Sequence, residues 1–332
     1  MTKAELQVKF KAGRKAIRNA VDFQLGFLGE KGEYIWDGYV PDAFHKQAYS
    51  WNLVGNNEEA HQILTWIRDN RLRANGSLIL TEDVNDTENN VDVYKHAWTC
   101  QGAHRLGRFD VSYPIYNFLK TLKMPCGGYP LQKGMPFARA MTTAWVGVTA
   151  IYFNDMEEAL SCAKWCIDQL EAQPDIDNKF YFMTKPDGSI ATEADGAEFI
   201  DNKKLKQCYW ECGFAMMLMD RLYQITKDEK YLGYAKRYME FLFTCAEDTW
   251  SYWAQVKQLL VVLCTTPSQV MKEQWKQQLN SSTLLLKHRL KLQTKTVNMQ
   301  AVSGMMTNPT FFLFMLTMQL ASQAGYSTVS PI

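Results

Sequence analysis

The residues best equipped for chemistry fall in two acidic stretches. The first reads Glu82-Asp83-Val84-Asn85-Asp86-Thr87-Glu88-Asn89-Asn90-Val91-Asp92, and the second offers Glu193, Asp195, Glu198 and Asp201. Hard oxygen donors gathered in a turn-prone segment suit Mg2+, which takes a few carboxylates and completes its shell with substrate phosphate. Asp83, Asp86, Glu88, Asp92, Glu193 and Asp195 are the candidate ligands. The plain alternative is solvated surface and helix caps, a role that Asp92 fits. A basic stretch, Lys287-His288-Arg289-Leu290-Lys291, supplies the opposite charge. Arg289 offers bidentate contacts to phosphate and Lys287 a point charge; Lys95 and Lys206 are further candidates. Cations and a metal meeting at one mouth would stabilise the negative charge that develops on a departing diphosphate.

These groups sit in a repeated frame. Asn75-Gly76-Ser77-Leu78 precedes the first acidic stretch, and Tyr94-Lys95-His96-Ala97-Trp98 with Gly102 follows it. Asp187-Gly188-Ser189-Ile190 precedes the second, and Leu205-Lys206-Gln207-Cys208-Tyr209 with Gly213 follows it. A turn, an acidic loop and an aromatic helix thus recur in order, the mark of a fold built by stacking one unit. Apolar spacing of three and four residues runs almost without break, and strand signals are nearly absent. It predicts helices over 4–28, 42–54, 57–70, 91–107, 110–122, 136–153, 155–172, 204–226, 228–245, 250–264, 268–281 and 305–323. Short turns alternate with long loops at 29–41, 71–90, 123–135, 173–203 and 282–304. The pattern predicts an all-α, single-domain (α/α)6 toroid of six helical hairpins over residues 1–332. The helices that follow the long loops form its inner ring and carry Trp51, Trp98, Trp145, Trp210 and Trp253.

Bulk properties narrow the partners. The chain of 332 residues has a hydrophobic content of 47% and a formal net charge of +1, which argues against nucleic acid or an anionic membrane as partner. No apolar run reaches the roughly 18 residues of a span, and the N-terminal residues lack a signal-peptide pattern. Eight cysteines without framework spacing read as reduced thiols of a cytoplasmic protein, either monomer or homodimer. Cys162/Cys166 and Cys208/Cys212 read as core packing rather than metal ligands. The sixteen methionines concentrate on inner helices: Met135, Phe137 and Met141; Phe214, Met216, Met217 and Met219; Met305, Met306, Phe311, Phe312, Phe314, Met315 and Met318. Such side chains either plug a toroid or line an apolar cavity, where aromatic faces stabilise cations.

The hairpin pattern resembles the α/α-toroid group of six-hairpin glycosidases and lyases, sugar epimerases and terpenoid-cyclase relatives. By its length, its Met-rich inner helices and its overall run, the chain more narrowly resembles the fungal humulene-synthase type of sesquiterpene cyclase. That resemblance implies Mg2+-dependent ionisation of farnesyl diphosphate and ring closure to a macrocyclic sesquiterpene. Trp98, Tyr209 and Trp210 would be the catalytic aromatics, with Leu285, Met217 and Met306 shaping the pocket. The chain lacks the Asp-Asp-x-x-Asp signature of ordinary class I cyclases; Asp83-Val84-Asn85-Asp86 is a loose echo. The alternative is a carbohydrate-active toroid: a glycoside hydrolase, lyase or epimerase. It would use Asp83 or Asp92 with Asp195 or Asp201 as paired carboxylates, and Trp36, Trp98, Trp145 and Trp210 as sugar platforms. A non-catalytic scaffold is the third possibility, and it predicts a filled centre.

Overall fold

A computed structural model describes residues 3–34, 43–81 and 91–250. Nine α-helices lie in these segments: α1 (Lys3–Leu25), α2 (Gln47–Val54), α3 (Asn57–Asn70), α4 (Val93–Arg105), α5 (Phe109–Lys120), α6 (Ala140–Tyr152), α7 (Met156–Glu171), α8 (Trp210–Thr226) and α9 (Glu229–Thr244). A 3-10 turn over Ala43–Lys46 leads into α2. Helices α2/α3, α4/α5, α6/α7 and α8/α9 pack as hairpins, and α2, α4, α6 and α8 also pack side by side in sequence order. Burial separates two layers. Every residue of α6 from Ala140 to Ala150 is buried, as is every residue of α8 from Glu211 to Asp220. By contrast α3, α5, α7 and α9 bury one stripe each, as outer helices do. The described residues therefore form an arc of an α/α toroid. The helices read over 250–264, 268–281 and 305–323 lie outside them.

One device builds each short turn. A residue in the left-handed region ends the inner helix: Gly55 (φ 87°), Gly107 (φ 68°), Asn154 (φ 55°) and Lys227 (φ 60°). In three of the four, the next N–H reaches back five residues, Asn56 to Trp51 O, Arg108 to Ala103 O and Asp155 to Ala150 O, at 2.9–3.0 Å. This arrangement satisfies carbonyls left over at a helix end. Asp155 and Asp228 then cap the following helices through the Glu158 and Lys230 N–H groups.

The opposite rim repeats a second device, and there the structure extends the sequence reading. The Asn75-Gly76-Ser77 and Asp187-Gly188-Ser189 turns are alike in detail. Arg73 N–H bonds Ser77 O and Gly76 N–H bonds Arg73 O, while Lys185 N–H bonds Ser189 O and Gly188 N–H bonds Lys185 O. Asn75 Oδ1 and Asp187 Oδ1 each accept from the N–H and hydroxyl of the serine two residues on. The same backbone ring closes at Gly29–Glu33 and at Met124–Gly128, with Gly32 and Gly127 at φ of 86° and 87° beside 87° at Gly76 and 88° at Gly188. Among the described residues the turn thus occurs four times, not two.

Some expectations are corrected. The long loops carry strand: β1 (Ala138–Arg139) pairs antiparallel with β3 (Met183–Thr184), and β2 (Lys179–Phe180) pairs with β4 (Ile200–Asp201). The helices read from 136 and 204 start at Ala140 and Trp210, so Met135 is an exposed loop residue rather than part of an inner helix. Cys162, Cys166 and Cys212 are buried core residues, as their spacing implied.

Candidate active site at the long-loop mouth

Inner helices α2, α4, α6 and α8 all begin on the long-loop rim, so their first turns surround one mouth. From α2 and its leading turn come His45, Lys46 and Tyr49; from α4, Asp92, Tyr94, Lys95 and Trp98; from the start of α6, Arg139 and Met141; from α8, Trp210 and Glu211. At 1.5 Å per residue, Trp98, Trp145 and Phe214 lie roughly two turns or less below the rim. Their rings meet. Trp98 and Trp145 are 4.4 Å apart between centroids, and Trp145 and Phe214 are 5.2 Å apart. Tyr94 reaches across from α4 to Phe214 of α8 at 5.9 Å, and Tyr49 packs edge-on to Trp98 at 5.1 Å. With Met141 and Met217, also buried, they make an aromatic and thioether floor under the mouth.

Polar groups stand above this floor. The Lys46 ammonium lies 5.2 Å from the Tyr94 ring centroid and 5.8 Å from that of Trp98, a cation–π arrangement. His45 is buried beside Tyr94, with 6.4 Å between centroids. Deeper, Gln101 Nε2 donates to Thr149 Oγ1 at 2.8 Å. Trp145 Nε1 is a buried donor with no hydrogen-bond partner among the described residues. At the start of α6, Arg139 Nε donates to Glu211 Oε1 at 2.7 Å, and Met141 N–H donates to Glu211 Oε2 at 2.8 Å. Glu211 is wholly buried, so both its oxygens are committed to tying α8 to α6. Arg139 Nη2 points outward, 3.1 Å from Glu198 Oε2, a carboxylate whose side chain is 62% exposed.

The sequence-derived residues fare unevenly. Trp98 belongs to the floor. Tyr209 does not: it is buried, and its hydroxyl bonds Lys204 O and Asp248 Oδ1, both at 2.9 Å, which fixes a loop. Trp210 is half-buried at the rim. Lys95 sits on the first turn of α4, 3.9 Å from Asp92, which caps that helix through the Lys95 N–H. Lys206, expected at a helix start, lies in the loop before α8 at φ 60°, and its N–H bonds Asp248 Oδ2. Met217 is buried in the inner wall.

The second acidic stretch is occupied by local cations. Glu193 pairs with Lys179 at 2.6 Å, a contact that brings its carboxyl down to about 2. Asp195 completes a capping box with Thr192 and pairs with Lys185 at 3.2 Å, and Asp201 pairs with Lys204 at 3.2 Å. Among the described residues no three metal-ligating side chains gather. Asp83, Asp86 and Glu88, with Lys287, Arg289, Leu285, Met306, Trp36 and Trp253, lie outside the described residues.

Sequence reasoning missed His45, Lys46, Arg139 and Glu211. Glu211 carried one usable signal, a carboxylate directly behind Tyr209-Trp210 at the head of an apolar helix. Its partner Arg139 is distant in sequence and joins it only through the toroid. The other described histidines stand elsewhere. Leu78 N–H donates to His96 Nε2 at 2.8 Å, and His96 Nδ1 lies 2.7 Å from Asp92 O, which places its proton on Nδ1. His61 lies on outer helix α3, and His104 lies at the far end of α4, packed on Phe153.

No family model matches the sequence, and no curated protein matches it significantly. Solved structures do match. A D-mannose isomerase is 13% identical, with 82% of this chain and 84% of that chain covered and a TM-score of 0.61. The GH76A α-1,6-mannanase of Salegentibacter sp. HEL1_6 matches as an inactive variant, with two consecutive aspartates replaced by alanine, in complex with α-1,6-mannotetrose. That match is 12% identical, covers 93% of this chain and 98% of that chain, and has a TM-score of 0.60. Another structure of that mannanase gives 11%, the same coverage and 0.58. At such identities the likeness establishes the α/α toroid fold, and one fold hosts many reactions. These neighbours are enzymes acting on carbohydrate, and none of them is a terpene cyclase. Among the described residues no helix is long and apolar enough to cross a membrane.

Proposed function

We propose that the chain is a carbohydrate-active toroid enzyme that moves a proton between adjacent carbons of a sugar, as in aldose–ketose isomerisation. The observation that carries this reading is that His45 and Lys46 both lie against Tyr94, with the Lys46 ammonium also over Trp98. An aromatic face offers the C–H side of a sugar ring an apolar platform. Proton abstraction next to a carbonyl needs a base and a cation for the oxyanion that forms. His45 is the base, taking the C2 proton to give an enediolate charged at O1; the O2 hydroxyl proton passes to O1, and His45 returns its proton to C1 to give the ketose. Lys46 is the cation beside the developing oxyanion. Hydrolysis fits less well, because the mannanase variant lacking two consecutive aspartates is inactive and this chain has no Asp-Asp pair anywhere. The solved D-mannose isomerase supports the same choice.

A second reading is favoured by the apolar character of the floor, where Trp98, Trp145, Phe214, Met141 and Met217 would suit a polyene better than a sugar. Under it the chain is a sesquiterpene cyclase, with Lys46, Lys95 and Mg2+ on the diphosphate of farnesyl diphosphate. Against it, the Lys46 ammonium already lies on two of the rings that would face a carbocation. One panel separates the readings: mannose, glucose, fructose and N-acetylated hexosamines assayed for interconversion, and farnesyl diphosphate with Mg2+ assayed for volatile hydrocarbon. Sugar interconversion supports the first reading. Hydrocarbon release that EDTA abolishes, with every sugar inert, overturns it in favour of the second.

A further inference from the structure

We infer that Arg139 is a binding position for an anionic group on the substrate, a carboxylate or phosphoryl oxygen, and that Glu198 occupies that position in the ligand-free chain. This inference deepens the sugar reading and rests on it only for the rest of the substrate. It assigns an acidic or phosphorylated sugar as the substrate class. Arg139 is held from three sides. Its Nε edge is fixed by Glu211 at 2.7 Å, its guanidinium lies over the buried Phe182 ring at 4.9 Å, and its side chain is 11% exposed. A guanidinium so fixed presents its remaining N–H groups in a set direction, which suits planar oxyanions. The direction is outward to the mouth, where Nη2 meets Glu198.

The two carboxylates on Arg139 are unlike. Glu211 has no exposure and caps α6 through Met141 N–H, so removing it would leave a buried charge. Glu198 is 62% exposed, comes from the loop between Gly196 and β4, and is solvated on its far side. An exposed ion pair of this kind contributes little to folding. Arg139 and Glu211 already balance each other, so Glu198 adds a negative charge that folding does not require. Its oxygen stands where a ligand oxyanion would stand. A ligand anion has only to exchange with it.

The test is equilibrium binding of glucuronate, inorganic phosphate and glucose to the full chain and to Glu198→Gln, followed by titration calorimetry at low and high salt. The expected result is at least a tenfold lower Kd for glucuronate, phosphate or both in Glu198→Gln, lost at high salt, with glucose unchanged and the melting temperature within a degree or two of the parent. A larger gain for glucuronate assigns a sugar carboxylate, and a larger gain for phosphate assigns a phosphoryl group. Arg139→Lys introduced into Glu198→Gln should cancel the gain; if that variant fails to fold, Glu198→Gln alone decides. Equal affinities for both anions in parent and Glu198→Gln overturn the inference. Sugar interconversion measured in parallel keeps the two ideas apart. Interconversion without any anion gain refutes only this inference, and an anion gain without interconversion refutes only the sugar reading.

Discussion

At the residue scale, the mouth depends on side chains whose charge state is set by what surrounds them. Glu211 and Arg139 are joined out of solvent, Glu211 with no exposure and Arg139 with 11%, while Arg139 also meets the exposed Glu198. Glu211→Ala leaves the guanidinium only the exposed Glu198, a loss of about 3–5 kcal/mol for a broken buried pair, to be read as a lowered urea midpoint. A destabilisation under about 1 kcal/mol would mean the pair is solvated. His96 gives a pH signature. Burial holds its imidazole neutral, from an ordinary 6.5 down to about 4. The unfolded chain therefore binds a proton near 6.5 that the folded chain refuses until about 4. Stability from His96 is complete above 6.5 and is lost as pH falls toward 4, by about 3 kcal/mol at 1.36 kcal/mol per pH unit. The melting temperature should fall over that window, and less steeply in His96→Gln. Parallel profiles would contradict the assignment. Little of this was legible in the sequence: Glu211 stands behind Tyr209-Trp210 at the head of an apolar helix, but a buried His and the distant Arg139 look like any others.

At the scale of elements, the two rims were legible in different degrees. Helix periodicity and the alternation of short and long connections carry the hairpins directly, because an inner helix buried all round and an outer helix buried on one stripe leave different apolar patterns. The long-loop turn was readable only where an Asx side chain and a serine marked it, at Asn75-Gly76-Ser77 and Asp187-Gly188-Ser189. At Gly29–Glu33 and Met124–Gly128 the backbone does the same with other side chains, and the glycine alone is a weak sign. Lys206 was misplaced for a related reason: apolar spacing through Leu205 and Cys208 suggested a helix start that the left-handed residue Lys206 forbids. The turns also make a paired prediction. At Gly188 nothing lies within 4 Å of an added Cβ, whereas at Gly76 it would stand 2.1 Å from Pro114 O. Gly188→Ala should cost only the left-handed penalty of about 1–2 kcal/mol, and Gly76→Ala at least twice as much. Equal urea midpoints would show that the loop simply shifts.

At the scale of the whole molecule, a toroid gathers the starts of its inner helices on one rim, and His45, Lys46, Lys95 and Arg139 stand at such starts in three separate hairpins. Their distances in sequence explain why the acidic stretches drew attention first. Glu193, Asp195 and Asp201 of the second stretch pair with Lys179, Lys185 and Lys204, and Glu198 with Arg139, while the proposed base and cation sit on helix starts that no local pattern marks. The central claim is proton transfer to and from a sugar at this mouth. It is tested most directly by proton NMR of an aldose, mannose first and then glucuronate, incubated with the chain in deuterated water. The account predicts loss of the C2 proton signal with formation of the ketose. It also predicts that His45→Gln slows the exchange by about 10²–10⁴-fold, the ordinary worth of a general base, while leaving the melting temperature within a few degrees. A C2 proton that stays undiminished with wild-type chain, or exchange that His45→Gln leaves unchanged, would contradict it.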